Sequence, residues 1–331
     1  MRSKRAFILR MVILLSILCQ QKLLFCQIYF SQFYSSPLSV NPANTGLFEG
    51  DYRVGGVYRN ESAQLAPNSK ASFFLDTRIL GSVLPENDKL AIGVAAIGEK
   101  NPYFGLTNTF LLGSLAYHKS LNADGTQQLG FGFQADLSHQ HLQTHNLVFE
   151  NDLRNSGFAD ILPGQNNLNF SYADISVGVN YQGLLTEEDK VTIGLSVYHA
   201  NHPYKLVNNN VFSLAPQACM QGGWQHKIDD RRLLQYDLLI SASTDTHTIN
   251  DLFGSVLYQT KINESEYRMG AGAAFRRNYL SGTTLSPCIS LLYDSFSLNL
   301  LYSIPVSGKT TDLRSAVEVG LVYTGRKHSG K

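Results

Sequence analysis

Apolar and polar residues alternate with a period of two along most of this chain, from about residue 52 to residue 324. In the segment 129–138, large or small apolar residues occupy every second position, and glycine, glutamine, aspartate and serine lie between them. The same alternation recurs in 173–182, 267–276 and 296–303. A period of two is typical of a β-strand with two different faces. After residue 27 no helical period persists, so the pattern predicts an all-β protein.

The alternation divides into about fourteen segments. They lie near residues 52–60, 70–77, 89–98, 107–118, 128–141, 171–182, 191–201, 213–227, 233–242, 251–261, 266–277, 284–293, 296–304 and 314–324. An even number of strands is usual for bacterial barrels of one chain, and it puts both chain ends on the periplasmic side. Short links rich in turn-forming residues alternate with longer ones, of which 142–170 is the longest. The segments therefore predict a transmembrane antiparallel up-and-down β-barrel of about fourteen strands.

The character of the two faces separates a membrane barrel from a soluble sandwich. One face is apolar, whereas the other carries glycine, serine, asparagine, glutamine and only scattered charges. That combination suits lipid on one side and a polar lumen on the other. We therefore expect Leu129, Phe131 and Phe133 to face lipid, and Gln134 and Asp136 to face inward. Aromatic residues at strand ends suit the headgroup level; the candidates are Tyr181, Tyr293, Tyr302 and Tyr323.

The first residues resemble an export signal. Basic residues precede an apolar run at 11–19, and a polar break follows at 20–22, which is the order of a secretory signal peptide. The run is shorter than the roughly 20 residues that a membrane-spanning helix needs. We expect cleavage near Cys26 or Gln27. The predicted organisation is a signal peptide at 1–27, a periplasmic N-terminal segment at 28–51, an outer-membrane barrel at 52–324 and a C-terminal tail at 325–331.

Charge and cysteine content exclude several classes of protein. Residues 1–27 hold five of the 27 basic residues and no acidic ones, so 22 basic residues would face 26 acidic residues after cleavage. A mildly acidic chain lacks the basic footprint of a nucleic-acid-binding protein. Cys219 and Cys288 would remain, and their spacing fits neither a disulfide framework nor a zinc pattern. We expect two unpaired thiols in the barrel wall.

The sequence contains residues that could form a metal site or a catalytic triad, but the strand pattern disfavours both. His199 and His202 are three residues apart, which puts them on opposite faces of a strand. A hydrolase built from Ser138, His139 and Asp136 would need a mutual geometry that residue identity alone does not supply. We therefore expect no catalytic residues, no metal site and no cofactor.

The N-terminal segment carries the most specific motif. It reads Ile28-Tyr-Phe-Ser-Gln-Phe-Tyr34, then Pro37-Leu38, then Asn41-Pro-Ala-Asn-Thr-Gly46, and the first strand carries Tyr58-Arg-Asn60. This run resembles the opening of the PorP/SprF family of outer-membrane proteins of the type IX secretion system. Weaker similarities follow at 194–199, 274–277, 292–294 and 317–319. Glu61 and Ser62 depart from the glutamine and tryptophan that the family pattern has there.

The resemblance implies a Bacteroidota outer-membrane barrel that supports export or cell-surface attachment of a cargo protein, such as a gliding adhesin. Its implied partners are other type IX secretion components and the cargo, in addition to the lipid bilayer. One alternative is an outer-membrane channel or transporter for a small or hydrophobic solute, and another is a soluble periplasmic β-protein. A lumen filled by side chains and by the N-terminal segment would favour the secretion role, whereas an open lumen with a charged constriction would favour the channel.

Two sets of candidate site residues follow. The aromatic N-terminal segment is a candidate surface for docking a partner, with a fixed structural cap as the alternative reading. The residues expected to bind the partner are Phe30, Gln32, Phe33, Tyr34, Asn41 and Pro42. Charged inward residues are expected to pair in the lumen, since buried charges need partners, although the arginines could instead bind an acidic ligand. These residues are Arg53, Arg59, Asp136, Asp174, Arg268, Arg276 and Glu318.

Overall fold

The computed structural model describes most of the chain after residue 29. The described ranges are 30–62, 68–81, 83–102, 105–143, 167–207, 210–243, 251–262, 266–278, 282–307 and 315–326. The expected signal peptide at 1–27, most of the link at 142–170 and most of the tail at 325–331 lie outside these ranges.

Strands dominate the described residues, as the alternation predicts. Three 3₁₀ turns come first, at Phe33–Ser35, Pro37–Ser39 and Pro42–Asn44. The strands that follow are β1 (Tyr52–Ser62), β2 (Asn68–Ile79), β3 (Lys89–Asn101), β4 (Leu106–Ser120), β5 (Gln127–Gln143), β6 (Asn167–Leu184), β7 (Asp189–Tyr198), β8 (Tyr204–Val207), β9 (Asn210–Ser213), β10 (Gln217–Lys227), β11 (Arg232–Ser243), β12 (Asp251–Lys261), β13 (Tyr267–Asn278), β14 (Gly282–Tyr293), β15 (Phe296–Ser307) and β16 (Ser315–Gly325). In the described residues, no helix is long and apolar enough to cross a bilayer.

Fourteen of these strands close into one barrel. Each barrel strand pairs antiparallel with the next barrel strand along the chain, β7 pairs with β10, and β1 pairs with β16 to close the sheet. Between β7 and β10 the chain leaves the barrel to form the separate hairpin β8–β9, which the sequence did not predict. The expected antiparallel fourteen-strand barrel is confirmed.

The two faces of the wall follow the predicted register. On β5, Phe131 and Phe133 point outward with 51% and 48% of their surface exposed, whereas Gln134 and Asp136 are 0% and 6% exposed. Exposed large apolar side chains cover the outside of the other strands in the same way. Because lipid is the only environment that stabilises such a surface all round a barrel, the outward face is the membrane face.

The two ends of the barrel differ. The chain enters at Tyr52 and leaves at Gly325 at one end, and the links 121–126, 185–188 and 294–295 lie at this same end. We call it the short-turn end, and short turns are periplasmic in bacterial barrels. Outward aromatic rings gather there in pairs: Tyr267 with Tyr293, Phe296 with Tyr323, and Trp224 with Tyr236. The rings form a girdle at the level expected for lipid headgroups.

The N-terminal segment lies inside the barrel. We call residues 30–46 the plug; within it, all residues are buried except Tyr34 and Ser39. Gly46 lies near the short-turn end, where its backbone N–H donates to Asp76. The plug begins much deeper in the lumen, where the Ser31 backbone N–H reaches Glu318. The described part of the N-terminal segment therefore extends along the lumen from Glu318 to Asp76.

Candidate functional site

Glu318 on β16 anchors the beginning of the plug. Its two carboxylate oxygens accept the backbone N–H groups of Ser31, at 3.0 Å, and Gln32, at 2.5 Å. Arg59 on β1 donates to Glu318 at 3.0 Å and to the Ser31 hydroxyl at 2.9 Å. Glu318 is 0% exposed and Arg59 5%. A buried carboxylate is stabilised only when it is paired and hydrogen-bonded, and here the plug supplies two of the donors.

A second ion pair anchors the end of the plug. Arg53 on β1 forms a two-pronged bond to Asp76 on β2, with N–O distances of 3.0 and 2.8 Å. Arg53 also donates to the Asn44 carbonyl at 3.1 Å, and Asp76 accepts the Gly46 N–H at 2.8 Å. The planar guanidinium fits this fork geometry, which makes the pair strong and directional. Asp76 is a functional residue that the sequence analysis missed.

On the opposite wall the plug is held by neutral groups. The Asn41 amide donates to the backbone carbonyls of Val179 on β6 and Leu195 on β7, at 3.1 and 3.3 Å. Its side-chain oxygen accepts the Ala43 N–H at 2.8 Å and caps the third 3₁₀ turn.

The next anchor on this wall is an amide pair. Asn44 and Gln221 on β10 exchange two side-chain hydrogen bonds, at 3.0 and 2.7 Å. Nearby, the Ser196 hydroxyl on β7 donates to the Val40 carbonyl at 2.7 Å. These contacts hold the plug by shape and amide complementarity, and no charged group takes part in them.

Inward glycines allow that close approach. A Cβ atom built on Gly132 of β5 would lie 2.2 Å from the Ala43 nitrogen, and one on Gly178 of β6 would lie 2.0 Å from the Asn41 side-chain oxygen. A Cβ on Gly194 would lie 2.8 Å from the same amide. The sequence pattern predicts that the glycines and the polar residues of the inner face line a polar lumen. Their physical role here is to leave room for the Asn-Pro-Ala turn of the plug.

Aromatic packing completes the attachment. Phe33 meets Phe253 of β12 edge to face, with ring centroids 5.6 Å apart. Phe30 packs in a second apolar cluster with Phe74 and Phe110. Cys219 and Cys288 are free thiols buried in the same cluster as Phe33.

The residues expected to bind a partner are therefore mostly inside the lumen. Phe30, Gln32, Phe33 and Asn41 are between 0% and 8% exposed, and Pro42 is also buried while Tyr34 is half-buried. This placement favours the alternative reading of a fixed structural cap for the buried five.

Tyr34 lines a cavity of about 220 Å³ near the short-turn end. The plug contributes one wall through Phe33, Tyr34 and Pro37, and Leu47 follows directly after the plug. The barrel contributes mainly polar side chains, among them Gln182, Lys190, Gln225, Gln235 and Asp237. Aromatic and amide groups in one concave site can hold a polypeptide segment through stacking and backbone hydrogen bonds.

The charge pairs differ in part from those expected. Arg276 pairs with Asp251, at 2.9 Å, rather than with an aspartate named from the sequence. Arg268 points inward and forms no ion pair within the described ranges. Asp136 and Asp174 have no arginine partner among the described residues, and Asp174 instead accepts from His199 at 2.6 Å. The expected arginine pairing of these two aspartates is wrong, because strand register places the arginines on other parts of the wall.

The structure does not bring together the residues considered for a catalytic triad or a metal site. Ser138 and Asp136 point inward, whereas His139 is on the outer face and contacts Ser171. His199 and His202 lie in the link after β7 and not on a strand. Among the described residues, no three histidine, cysteine, aspartate or glutamate side chains are grouped as metal ligands.

A closed fourteen-strand barrel with an apolar outer face, an aromatic girdle and a folded N-terminal plug is a transmembrane barrel of the outer-membrane class. A comparison with protein-family models agrees with this class and identifies one family within it. The model of the type IX secretion system membrane protein PorP/SprF matches residues 26–323, so the chain belongs to this family.

Solved structures share the fold at low sequence identity. A mutant of the TodX monoaromatic hydrocarbon channel has a TM-score of 0.57 and 11% identity, over 89% of this chain and 94% of that one. The CymD monoaromatic hydrocarbon channel has a TM-score of 0.52 and 11% identity, over 89% and 94%. The toluene transporter TodX of P. putida has a TM-score of 0.50 and 10% identity, over 87% and 93%. No curated protein matches the sequence. At such identities the structural likeness concerns the fold alone.

Proposed function

We propose that this protein is an outer-membrane component of the type IX secretion system that supports export or surface attachment of a cargo protein through protein partners. The observation that carries the proposal is the plug. Membership of the PorP/SprF family supports the assignment to the type IX secretion system. The plug argues against solute passage through the lumen of the barrel.

The plug is attached too firmly for an easily opened pore. Its two ends are tied to buried ion pairs at Glu318 and Asp76, and its middle is bonded to strand carbonyls through Asn41. Removing it would expose two buried arginine–carboxylate pairs and two apolar clusters at once. A role that uses only the surfaces of the barrel leaves the plug in place, so the free-energy cost of removing the plug does not arise.

The short-turn end is where we propose that a periplasmic partner docks. Tyr34 is the one residue of the expected docking set that is not fully buried. It faces the cavity of about 220 Å³, and Leu47, Phe48 and Glu49 continue the same surface toward the first strand. Tyrosine is a frequent anchor in interfaces because it combines a large apolar ring with a polar tip.

Co-purification tests the docking surface. Changing Phe33 and Tyr34 together would mix two effects, since Phe33 packs on Phe253 inside the lumen. Tyr34→Ala alone should leave the barrel folded, and we expect it to reduce co-purification of type IX components and surface display of cargo. Tyr58→Ala on the exposed outer face is the matched control and should keep both. Unchanged partners and display in the Tyr34 variant would place docking elsewhere.

Ion conductance tests the channel alternative. In planar bilayers, we expect the purified protein to conduct little, whereas a variant lacking residues 30–46 should form open pores. Large, steady conductance of the full chain would contradict the proposed role and favour the channel.

We also propose export by a cleaved signal peptide, on the sequence pattern of residues 1–27. N-terminal sequencing of the protein from outer membranes should begin near Gln27 or Ile28. A sequence that began at Met1 would contradict cleavage.

A further inference from the structure

The cavity of about 220 Å³ near the short-turn end has an uncovered floor at Gly223 of β10. Atoms of the plug cover the inward glycines Gly132 and Gly178, whereas a Cβ built on Gly223 would meet nothing closer than 3.5 Å. The nearest atom is Oδ1 of Asp237 on β11, the residue directly opposite Gly223. Both residues line the cavity. The Asp237 carboxylate therefore lies at the edge of the open space above Gly223.

The charge of Asp237 is not balanced by the other charged residues of the cavity. Arg53 lines the cavity too, but it bonds both carboxylate oxygens of Asp76. Lys190, the third charged residue of the lining, lies 3.4 Å from Glu49. Within the described ranges, Asp237 forms no ion pair. The cavity therefore presents an unbalanced negative charge to any group that enters it.

One oxygen of this carboxylate is still available. Oδ2 of Asp237 accepts the Gln235 amide at 2.8 Å and the Ser255 hydroxyl at 3.3 Å. Oδ1, the oxygen beside Gly223, accepts no hydrogen bond from the described residues. A carboxylate that is partly removed from water is stabilised by a positively charged partner. Oδ1 is placed to accept from such a partner.

The other groups of the cavity also suit a cation. Phe33 and Tyr34 line it and meet edge to face, with ring centroids 5.9 Å apart. The face of an aromatic ring attracts a positive charge. Gln182 and Gln225 add side-chain amides, whose carbonyl oxygens can accept hydrogen bonds from an ammonium group. Rings, amides and a carboxylate in one concave site fit a cation that is carried on an apolar stem.

We propose that this cavity receives a lysine side chain of the periplasmic partner, with its ammonium group on Oδ1 of Asp237. Lysine carries a compact charge on a flexible stem, whereas arginine prefers to bond both oxygens of a carboxylate. Oδ2 is already occupied, so the single available oxygen favours lysine. The volume equals that of about seven water molecules, which accommodates such a side chain. This inference rests on the proposed docking role, and it names the chemistry of the partner that the Tyr34 surface recognises.

Peptides of defined sequence test the proposal without the secretion system. Blocked peptides Gly-Gly-Lys-Gly-Gly and Gly-Gly-Gln-Gly-Gly are titrated into the purified barrel in detergent, and binding is followed by saturation-transfer NMR. We expect the lysine peptide to bind and the glutamine peptide to give no signal above background. Binding should weaken as salt is added, because salt screens a charge contact that is open to water. Arginine and glutamate peptides of the same length complete the set and should bind more weakly than the lysine peptide.

Matched variants locate the contact. Asp237→Asn should weaken binding of the lysine peptide by about tenfold or more, since it removes a charged hydrogen bond. Lys190→Gln should strengthen binding, because it removes a like charge from the same cavity. Asp136→Asn is the control and should bind as the wild type does, since Asp136 is an inward carboxylate that lines a different cavity.

Three results would overturn the proposal. The wild-type barrel could fail to distinguish the lysine peptide from the glutamine peptide, which requires no variant to fold. The glutamate or arginine peptide could bind more tightly than the lysine peptide. Asp237→Asn could also bind the lysine peptide as tightly as the wild type.

Failure of this inference can be told apart from failure of the docking role. If Tyr34→Ala keeps its type IX partners, the docking role fails whatever the peptides do. If Tyr34→Ala loses its partners while the wild-type barrel does not select the lysine peptide, docking at this surface stands and the lysine inference fails.

Discussion

The two walls that hold the plug use different physics. On β16, β1 and β2, buried ion pairs at Arg59–Glu318 and Arg53–Asp76 bond to the plug backbone. On β5, β6 and β7, the contacts are amide bonds to strand carbonyls and glycines that let backbones meet. The charged wall is sensitive to the loss of any one ion-pair partner, because the remaining buried charge then lies in apolar surroundings without a counter-charge. The neutral wall depends on space, because a single added carbon atom blocks the approach.

The largest effect is expected on the charged wall. Glu318→Ala leaves Arg59 without its buried carboxylate and leaves the N–H groups of Ser31 and Gln32 without an acceptor. We expect a loss of about 3–5 kcal/mol in the free energy of unfolding, measured by urea titration in lipid vesicles. Glu61→Ala is the control, since Glu61 also bonds Arg59 but lies closer to the surface. Equal, small losses in both variants would show that the plug does not depend on Glu318.

The outer face of the neutral wall gives the next largest effect. Phe131→Arg puts a charge on the lipid side of β5 and should cost about 2–4 kcal/mol if it lies near the bilayer midplane. Phe131→Leu keeps the surface apolar and should be nearly neutral in the same assay. Tolerance of the arginine would contradict the assigned lipid face.

The next residue of β5 after Phe131 is Gly132, which lies on the inner face, and we expect the stability of the barrel to depend there on side-chain size alone. Gly132→Ala adds a carbon atom that would lie 2.2 Å from the Ala43 nitrogen, so the plug must shift. We expect a loss of about 1–3 kcal/mol, the usual cost of overpacking. Gly113→Ala is the matched control, since its added carbon faces outward and its nearest neighbour is 4.0 Å away. If the two alanines cost the same, close approach of the plug to β5 is not important.

Asn41→Ala should have the smallest effect of the series. It removes two bonds to strand carbonyls and the cap of the third 3₁₀ turn. Loss of such a cap typically costs about 0.5–2 kcal/mol. Ser39→Ala, at a half-buried plug position, is the control. A cost above that of Glu318→Ala would reverse the ranking of the two walls.

The sequence predicted the wall better than its contents. Strand number and the facing of Phe131 and Gln134 follow from period-two alternation, which is a local property. The partners Asp76 and Asp251 could not be chosen over Asp136 and Asp174, because pairing depends on register between strands and not on residue type. Every second residue of an inner face looks polar whether water or a plug fills the lumen.

The N-terminal segment shows the same limit. Proline cannot donate to a strand ladder and glycine permits a positive φ, so Pro37, Pro42 and Gly46 indicate irregular backbone before the first strand. They did not determine whether that backbone lies below the barrel or within it. The inward glycines at 132, 178 and 194 were the available signal, since small residues on three adjacent strands make room for an inserted chain.

Thiol accessibility tests the central claim, that the plug fills the lumen of the folded barrel, most directly. Cys219 and Cys288 point inward and are 3% and 6% exposed, packed in one cluster with Phe33 and Val40 of the plug. A small, water-soluble thiol reagent is applied to the protein in membranes, and mass spectrometry locates the modified cysteine. We expect neither thiol to react in the folded chain, whereas both should react after unfolding in urea or in a variant lacking residues 30–46. Rapid modification of both thiols in the folded wild-type chain would show that water, and not the plug, fills the lumen.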